Sequence, residues 1–424
     1  MKNLVLACIA LAAALGAQTA PTLSLAQAEQ IALANHPQLQ VAQLGAAAAA
    51  QDTRAVRSAY MPTAVASLTG AAALAGTRLA AGAINNPTVF DRYANGVSAS
   101  QLITDFGRTS NLVSSARLHA QAAANDTLAT RAEILVAVAQ AFDDTLRAQA
   151  LLQVAQETVQ QRQTVDDQIS ALARSQLKSG LDLSFANVNL AQARLALATA
   201  QSGLQAARAQ LTLTLGLTTP VTQSLQFEAT PPPPPDDVTP LIQAAEASRP
   251  ELAALNLQAQ SEAAFARSEG DLARPTISAV ASAGEIPWRA SALPAHYAAA
   301  GANVNIPIFN GFLFSSRQKA ANLRAQAAAQ QLRALEQQID RDVRVAWLNA
   351  RTAFARVGLT QQLLDEATQA LQLAQSRYNL GLSSIVELSQ AQLNLTQAQT
   401  QHTDAIYDFQ TSSTVLAFQT GSLK

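Results

Sequence analysis

From Arg108 to Ser179 the chain contains neither glycine nor proline, and from Phe312 to Leu380 only Gly358 interrupts a second such run. Glycine and proline are the residues that most often end a helix, so both runs read as helix throughout. A continuous helix over 108–179 would be roughly 108 Å long at 1.5 Å per residue. Helices in globular proteins average about 12 residues, so these imply a coiled coil or a helical tube. Gly180 and Gly381 break the runs, and each is followed by a further helix, about 184–215 and 384–418. Two helical hairpins are expected.

The hairpins belong to halves that resemble each other. Asn35-His36-Pro37 matches Ser248-Arg249-Pro250 at an offset of 213, and Tyr60-Met61-Pro62-Thr63 matches Ala273-Arg274-Pro275-Thr276 at the same offset. Leu118 with Ala120-Gln121-Ala122 matches Leu323 with Ala325-Gln326-Ala327 at 205, and Ala191-Gln192 with Leu195 matches Ala391-Gln392 with Leu395 at 200. This reads as a duplicated unit with small indels: a first repeat over 21–217 and a second over 241–424. Between them lies a linker, 218–240, whose proline run Pro231 to Pro235 is extended and semi-rigid. Each repeat opens with a helical run (about 25–58 and 240–272), continues with two short strands and closes with its long hairpin.

The last helices carry heptads. Val188, Ala191, Leu195 and Ala198 step by three and four, as do Leu388, Ala391, Leu395 and Ala398, which continue through His402, Ala405 and Phe409. Helix 184–215 has a second row at Leu190, Ala193, Leu197, Ala200, Leu204, Ala207 and Leu211, about 200° around the helix from the first. Asn187, Arg194, Gln201 and Arg208 form one wet flank; Gln192, Thr199 and Gln210 form the other. Two buried seams and two wet faces describe a stave of a hollow helical barrel. A layer of an ordinary antiparallel bundle is the alternative.

From Tyr297 to Phe309, Ala298, Ala300, Ala302, Val304, Ile306 and Ile308 alternate with small or polar residues. A membrane-spanning strand needs about 9–11 residues of such dyad pattern. Stretches 62–75, 92–106 and 275–286 are assigned as strands mainly by duplication. Scarce aromatics gather at the strand ends: Tyr60, Phe90, Tyr93, Phe106, Trp288, Tyr297, Phe309, Phe312 and Phe314, as in the girdles of outer-membrane barrels. Four strands cannot close a barrel, and an open edge in lipid leaves backbone groups unsatisfied. The chain must therefore associate with copies of itself.

Composition removes other classes. The 424 residues are 49% apolar but only 13% charged, with net charge −1, where soluble domains average about 25% charge. Disorder is excluded by the apolar fraction, and nucleic acid by the absence of a basic footprint. Residues 1–20 read as a secretory signal peptide, with Lys2, an apolar run Leu4 to Leu15 and cleavage after Ala17 or Ala20. Cys8, the only cysteine, lies inside that run, too near the start for a lipoprotein signal. His36, His119, His296 and His402 show no metal spacing, and neither a phosphate loop nor a nucleophile elbow occurs. No enzyme and no cofactor are indicated. The alternative to a membrane-crossing protein is a secreted periplasmic coiled-coil structural or adaptor protein.

The hairpin turns are Tyr378-Asn379-Leu380-Gly381-Leu382-Ser383-Ser384, leading into Glu387, and Ser179-Gly180-Leu181-Asp182-Leu183 in the first half. A glycine C-cap and a capping serine account for Gly381 and Ser384 but leave the exposed Leu181 and Leu382 unexplained. With Asn35-His36-Pro37, Tyr60-Met61-Pro62, Ile308-Phe309-Asn310-Gly311, the Tyr378 turn and the Glu387 to Leu395 stretch, the chain resembles the TolC-like outer-membrane efflux proteins over nearly its whole mature length. That resemblance implies a mainly α fold: long hairpins forming an α-barrel, and four strands per chain in a trimeric twelve-stranded barrel held in outer-membrane lipid. It also implies an exit duct serving an inner-membrane RND or ABC pump through a periplasmic adaptor. Carried over by position, Gly180, Leu181, Gly381 and Leu382 would be the tips that adaptors grip. Asp182, Asn187, Tyr378, Ser383, Glu387 and Gln390 would form the periplasmic gate. Ser383 stands where some members have a gating arginine, and Gln390 where they have a second aspartate.

Overall fold

The computed structural model describes residues 22–74, 76–78, 88–227 and 229–423; the leader read at 1–20, with Cys8, lies outside them. Twelve elements follow one another as α1 (Leu25–Asn35), α2 (Pro37–Arg57), β1 (Thr63–Ala71), β2 (Arg92–Thr104), α3 (Arg108–Arg174), α4 (Gly180–Thr214), α5 (Thr239–Ser248), α6 (Pro250–Gly270), β3 (Thr276–Arg289), β4 (His296–Asn305), α7 (Leu313–Asn379) and α8 (Ile385–Gln419). The same order runs twice. The α2 and α6 helices each have 21 residues, α3 and α7 each have 67, and α4 and α8 each have 35.

Local chemistry sets the boundaries. The helical run expected over 25–58 is two helices, because Pro37 excludes the helical region for the residue before it; His36 is extended at φ −69° and ψ 120°. Arg249 before Pro250 does the same at φ −71° and ψ 122°. Ser24 caps α1 through a reciprocal box with Gln27. The strand expected to reach Phe309 ends at Asn305, just ahead of Pro307, which has no N–H to give a ladder.

The described residues form two compact units. One comprises the residues up to Ala42, Thr127–Pro250 and those from Glu336 on. Its core joins Ala28 and Ala32 of α1 to Val138 and Phe142 of α3, Leu211 of α4 and Tyr407 of α8. The linker takes part: Val221 and Leu225 are buried in that core, and the Trp347 indole donates to the Pro235 carbonyl at 2.8 Å.

The other unit comprises Gln43–Asp126 and Glu251–Leu335 and holds one antiparallel sheet in the order β1-β2-β3-β4. Register aligns the faces. Ala64, Ala99, Ala281 and Ala300 stand in one cross-strand row, and Ala66, Val97, Ala283 and Ala298 in the next of the same parity. The opposite parity carries Val65, Ser98, Ser282 and Ala299, then Ser67, Gly96, Gly284 and Tyr297. Through these rows one face is apolar and the other small and largely polar; the apolar parity ends one row further on in Leu68, Asn95, Glu285 and His296. Among the described residues, the outer edges of β1 and β4 pair with no further strand. Where strands meet helices, the buried Glu269 takes a two-pronged ion pair from Arg317, at 2.6 and 2.8 Å. The Asn111 amide donates to Asp271 at 2.8 Å.

Candidate gate and hairpin tips

Both hairpins turn by the same device. In the second, Gly381 adopts φ +74°; its N–H donates to the Tyr378 carbonyl at 3.1 Å, and that of Leu382 to the Arg377 carbonyl at 2.8 Å. This Schellman arrangement needs a left-handed residue. In the first hairpin that residue is Gln176, at φ +59°, with Gln176 N–H donating to Ala173 at 3.0 Å and Leu177 N–H to Leu172 at 2.9 Å. Gly180 does not break the first run: it is the first residue of α4, behind the cap Ser179. The tip leucine equivalent to Leu382 is thus Leu177, not Leu181. The two are 66% and 71% exposed.

The equivalence holds down the hairpins. From Arg108 to Leu313, and from Gly180 to Ile385, the offset is 205. At that spacing Ala186, Leu190, Ala193, Leu204 and Leu211 fall on Ala391, Leu395, Ala398, Phe409 and Leu416, all of them buried. The offset of 200 read from Ala191-Gln192 is a slipped register, which a helix rich in recurring Ala, Leu and Gln permits. The buried row of α4 is the one containing Leu190; in the first row Val188 and Leu195 are 54% and 70% exposed.

Side chains converge at the ends of the hairpins. Asp182 is the third residue of the Ser179 capping box: its N–H donates to Ser179 Oγ at 3.1 Å, and its carboxylate accepts from Ser179 N–H at 3.1 Å. The Glu387 carboxylate accepts from Arg377 Nε at 3.0 Å, and its N–H donates to the cap Ser384 at 3.4 Å. Tyr378 packs in a cluster with Ile169, Ala186, Ile385 and Leu388. Lys178 Nζ lies 4.0 Å from its ring centre. The Tyr378 hydroxyl is buried without a hydrogen-bond partner, as is that of Ser383. Burial, and secondarily the Asp182 carboxylate, push the Tyr378 phenol above the usual range. Gln390 donates along its own helix to Asn394 at 2.9 Å, and Asn187 is exposed on α4.

Arg377 and Lys178 are the residues that sequence reasoning missed. Arg377, six positions before Ser383 in the last turn of α7, is the arginine that reaches Glu387; its adjacency to Tyr378 was the available signal. Among the aromatics, Tyr93 and Trp288 are register partners at one end of the sheet. Phe309 and Phe312 make an edge-to-face pair at 5.9 Å beyond β4. Tyr60, Phe106 and Phe314 sit where strands and helices join, and Phe90 precedes β2. Tyr297 is different: its ring lies over Gly96 and Gly284, where an added Cβ would fall 2.0 and 2.6 Å from the phenol, so it packs on the small, polar face.

No described helix is long and apolar enough to cross a membrane. Strands of 9, 13, 14 and 10 residues are long enough to do so, and a sheet apolar on one face, carried with 67-residue helices, defines the class of outer-membrane channels. The family model described as outer membrane efflux protein matches residues 29–217 and 241–422, and the chain belongs to that family. Among solved structures it is similar to CusC, at 20% identity and a TM-score of 0.82 over 94% of this chain and 92% of that one. It is also similar to VceC of Vibrio cholerae, at 19% identity and 0.79 over 94% and 96%. The open state of MtrE from Neisseria gonorrhoeae gives 19% identity and 0.77 over 94% and 89%. No curated protein matches the chain by sequence. It is an outer-membrane protein of the efflux channel family.

Proposed function

We propose that three copies of the chain form one duct, each giving four strands to a twelve-stranded barrel and its hairpins to a periplasmic helical tube. Drugs, other small molecules or polypeptides pass through it passively, delivered by an inner-membrane pump of the RND or ABC type through a periplasmic adaptor. The observation that carries this reading is the open sheet, apolar through the middle of one face, with both edge strands unpaired among the described residues. In lipid each unpaired backbone group costs several kcal/mol, so such a sheet persists only in a closed barrel. The exposed row Val188 and Leu195 on α4 supports the same reading, as an apolar seam awaiting a neighbouring helix.

In this reading Leu177 and Leu382, with Gly381 and the adjoining Gly180 and Leu181, are what the adaptor grips. Tyr378, Asp182, Glu387 and Arg377, flanked by Ser383, Asn187 and Gln390, close the mouth. The test is expression of the full chain with its leader, membrane fractionation, and planar-bilayer recording of the purified protein. A heat-modifiable trimer in the outer membrane that conducts ions supports the duct; recovery as a soluble periplasmic monomer overturns it. Deletion followed by a toxic-compound panel then separates drug export from polypeptide secretion.

A further inference from the structure

Helices α3, α4 and α8 line an open-sided cavity of about 410 Å³ with Arg162 in its wall. Arg162 is only 8% exposed, and its Nη1 is buried without a hydrogen-bond partner. No carboxylate lines the cavity. Asp166, one turn further along α3, makes no ion pair with the guanidinium, and its own Oδ1 is left without a partner. Burial lowers the affinity of Arg162 for its proton, yet a guanidinium stays charged in a protein. A buried cation with no counter-charge is among the most costly groups a fold can hold.

The rest of the lining suits a particular kind of anion. Ser389 Oγ accepts from the Asn189 amide at 2.8 Å, which leaves its hydroxyl hydrogen to donate, and the Gln192 amide stands beside it in the wall. Phe185, Val386 and Leu393 supply apolar surface at the same cavity. A planar head bearing two acceptor oxygens matches the fork of a guanidinium, and an apolar body matches the rim. We propose that this cavity binds an organic carboxylate, its head paired with Arg162 and its body held among Phe185, Val386 and Leu393. The occupant would tie α3 and α4 to α8. This inference rests on the cavity alone and holds whether or not the chain is a duct.

The test is equilibrium dialysis of radiolabelled benzoate against the detergent-solubilised full chain in its native assembly, with benzyl alcohol and inorganic sulfate as competitors. One benzoate per chain is expected, displaced by neither competitor at equal concentration. Arg162→Met weakens binding by about tenfold or more and leaves the melting temperature of the unliganded protein unchanged or higher. Gln192→Glu, which places a carboxylate inside the wall, also abolishes binding without loss of folding. Binding that survives in both variants overturns the proposal, and so does displacement by sulfate at equal concentration, which would make this an inorganic-anion site. Absence of benzoate binding, with a lower melting temperature and loss of the assembly in Arg162→Met, also overturns it, placing a carboxylate of a second copy on Arg162.

Discussion

The Lys178 ammonium stands 4.0 Å from the centre of the Tyr378 ring, so the α3–α4 turn meets the end of α7 through a cation over an aromatic face. The contact needs the ring and not the hydroxyl, which is buried and unpartnered. Tyr378→Phe keeps the contact and removes the orphan oxygen. It should leave the protein as stable at neutral pH, or up to about 1 kcal/mol more so, by thermal melting in detergent.

The same residue gives a pH signature. Its phenol is held above the ordinary value of about 10, so above that pH the unfolded chain loses a proton that the folded chain keeps. The folded state then binds more protons, and stability falls as pH rises from about 10 towards the raised value. Comparison of melting temperatures between about pH 9 and 11 should show a smaller loss for Tyr378→Phe than for the parent; equal losses would assign the alkaline sensitivity elsewhere.

Arg377 and Glu387 are both about half exposed, at 54% and 44%, so their pair contributes little to stability, under about 1 kcal/mol. Its expected role is in closing the mouth. Glu387→Gln should leave the melting temperature nearly unchanged while raising single-channel conductance and open probability. An unaltered current trace would remove this pair from the gate.

Gln176 occupies a left-handed position that Gly381 fills without strain in the second hairpin. Such a conformation costs an L-residue roughly 1 kcal/mol, so Gln176→Gly should stabilise by about that amount and Gly381→Ala destabilise by a similar one. Urea titration of the two single variants checks the sign of each.

Tip function follows register. A photo-crosslinker at Leu177 or Leu382 should capture the periplasmic adaptor with similar yield, because both occupy the same point of the same turn. One at Leu181, already in the first turn of α4, should capture less. A higher yield at Leu181 would restore the pairing read from sequence.

Much of this architecture is local and therefore readable. A run free of glycine and proline made α3, one interrupted only by Gly358 made α7, and the alternation after Tyr297 made β4, while the breaks at Pro37 and Pro250 divided entry runs that read as single helices. The same periodicity also misled. Ala, Leu and Gln recur so often along α4 and α8 that identical residues align at 200 as readily as the buried positions do at 205, and only packing against α3 and α7 separates the two. Nor does sequence reveal that the Tyr297 ring lies over Gly96 and Gly284 across two strands.

By itself, then, the sequence determined the elements, their order and the two-faced strands, since φ/ψ limits and hydrophobic period act over a few neighbouring residues. Tertiary structure alone decided that Leu177 matches Leu382, that Lys178 covers Tyr378, that Arg377 takes Glu387, and that Arg162 is buried without a counter-charge. Those outcomes depend on which helix faces lie against each other, and in helices this long a slip of a few residues changes every partner while leaving the local pattern the same.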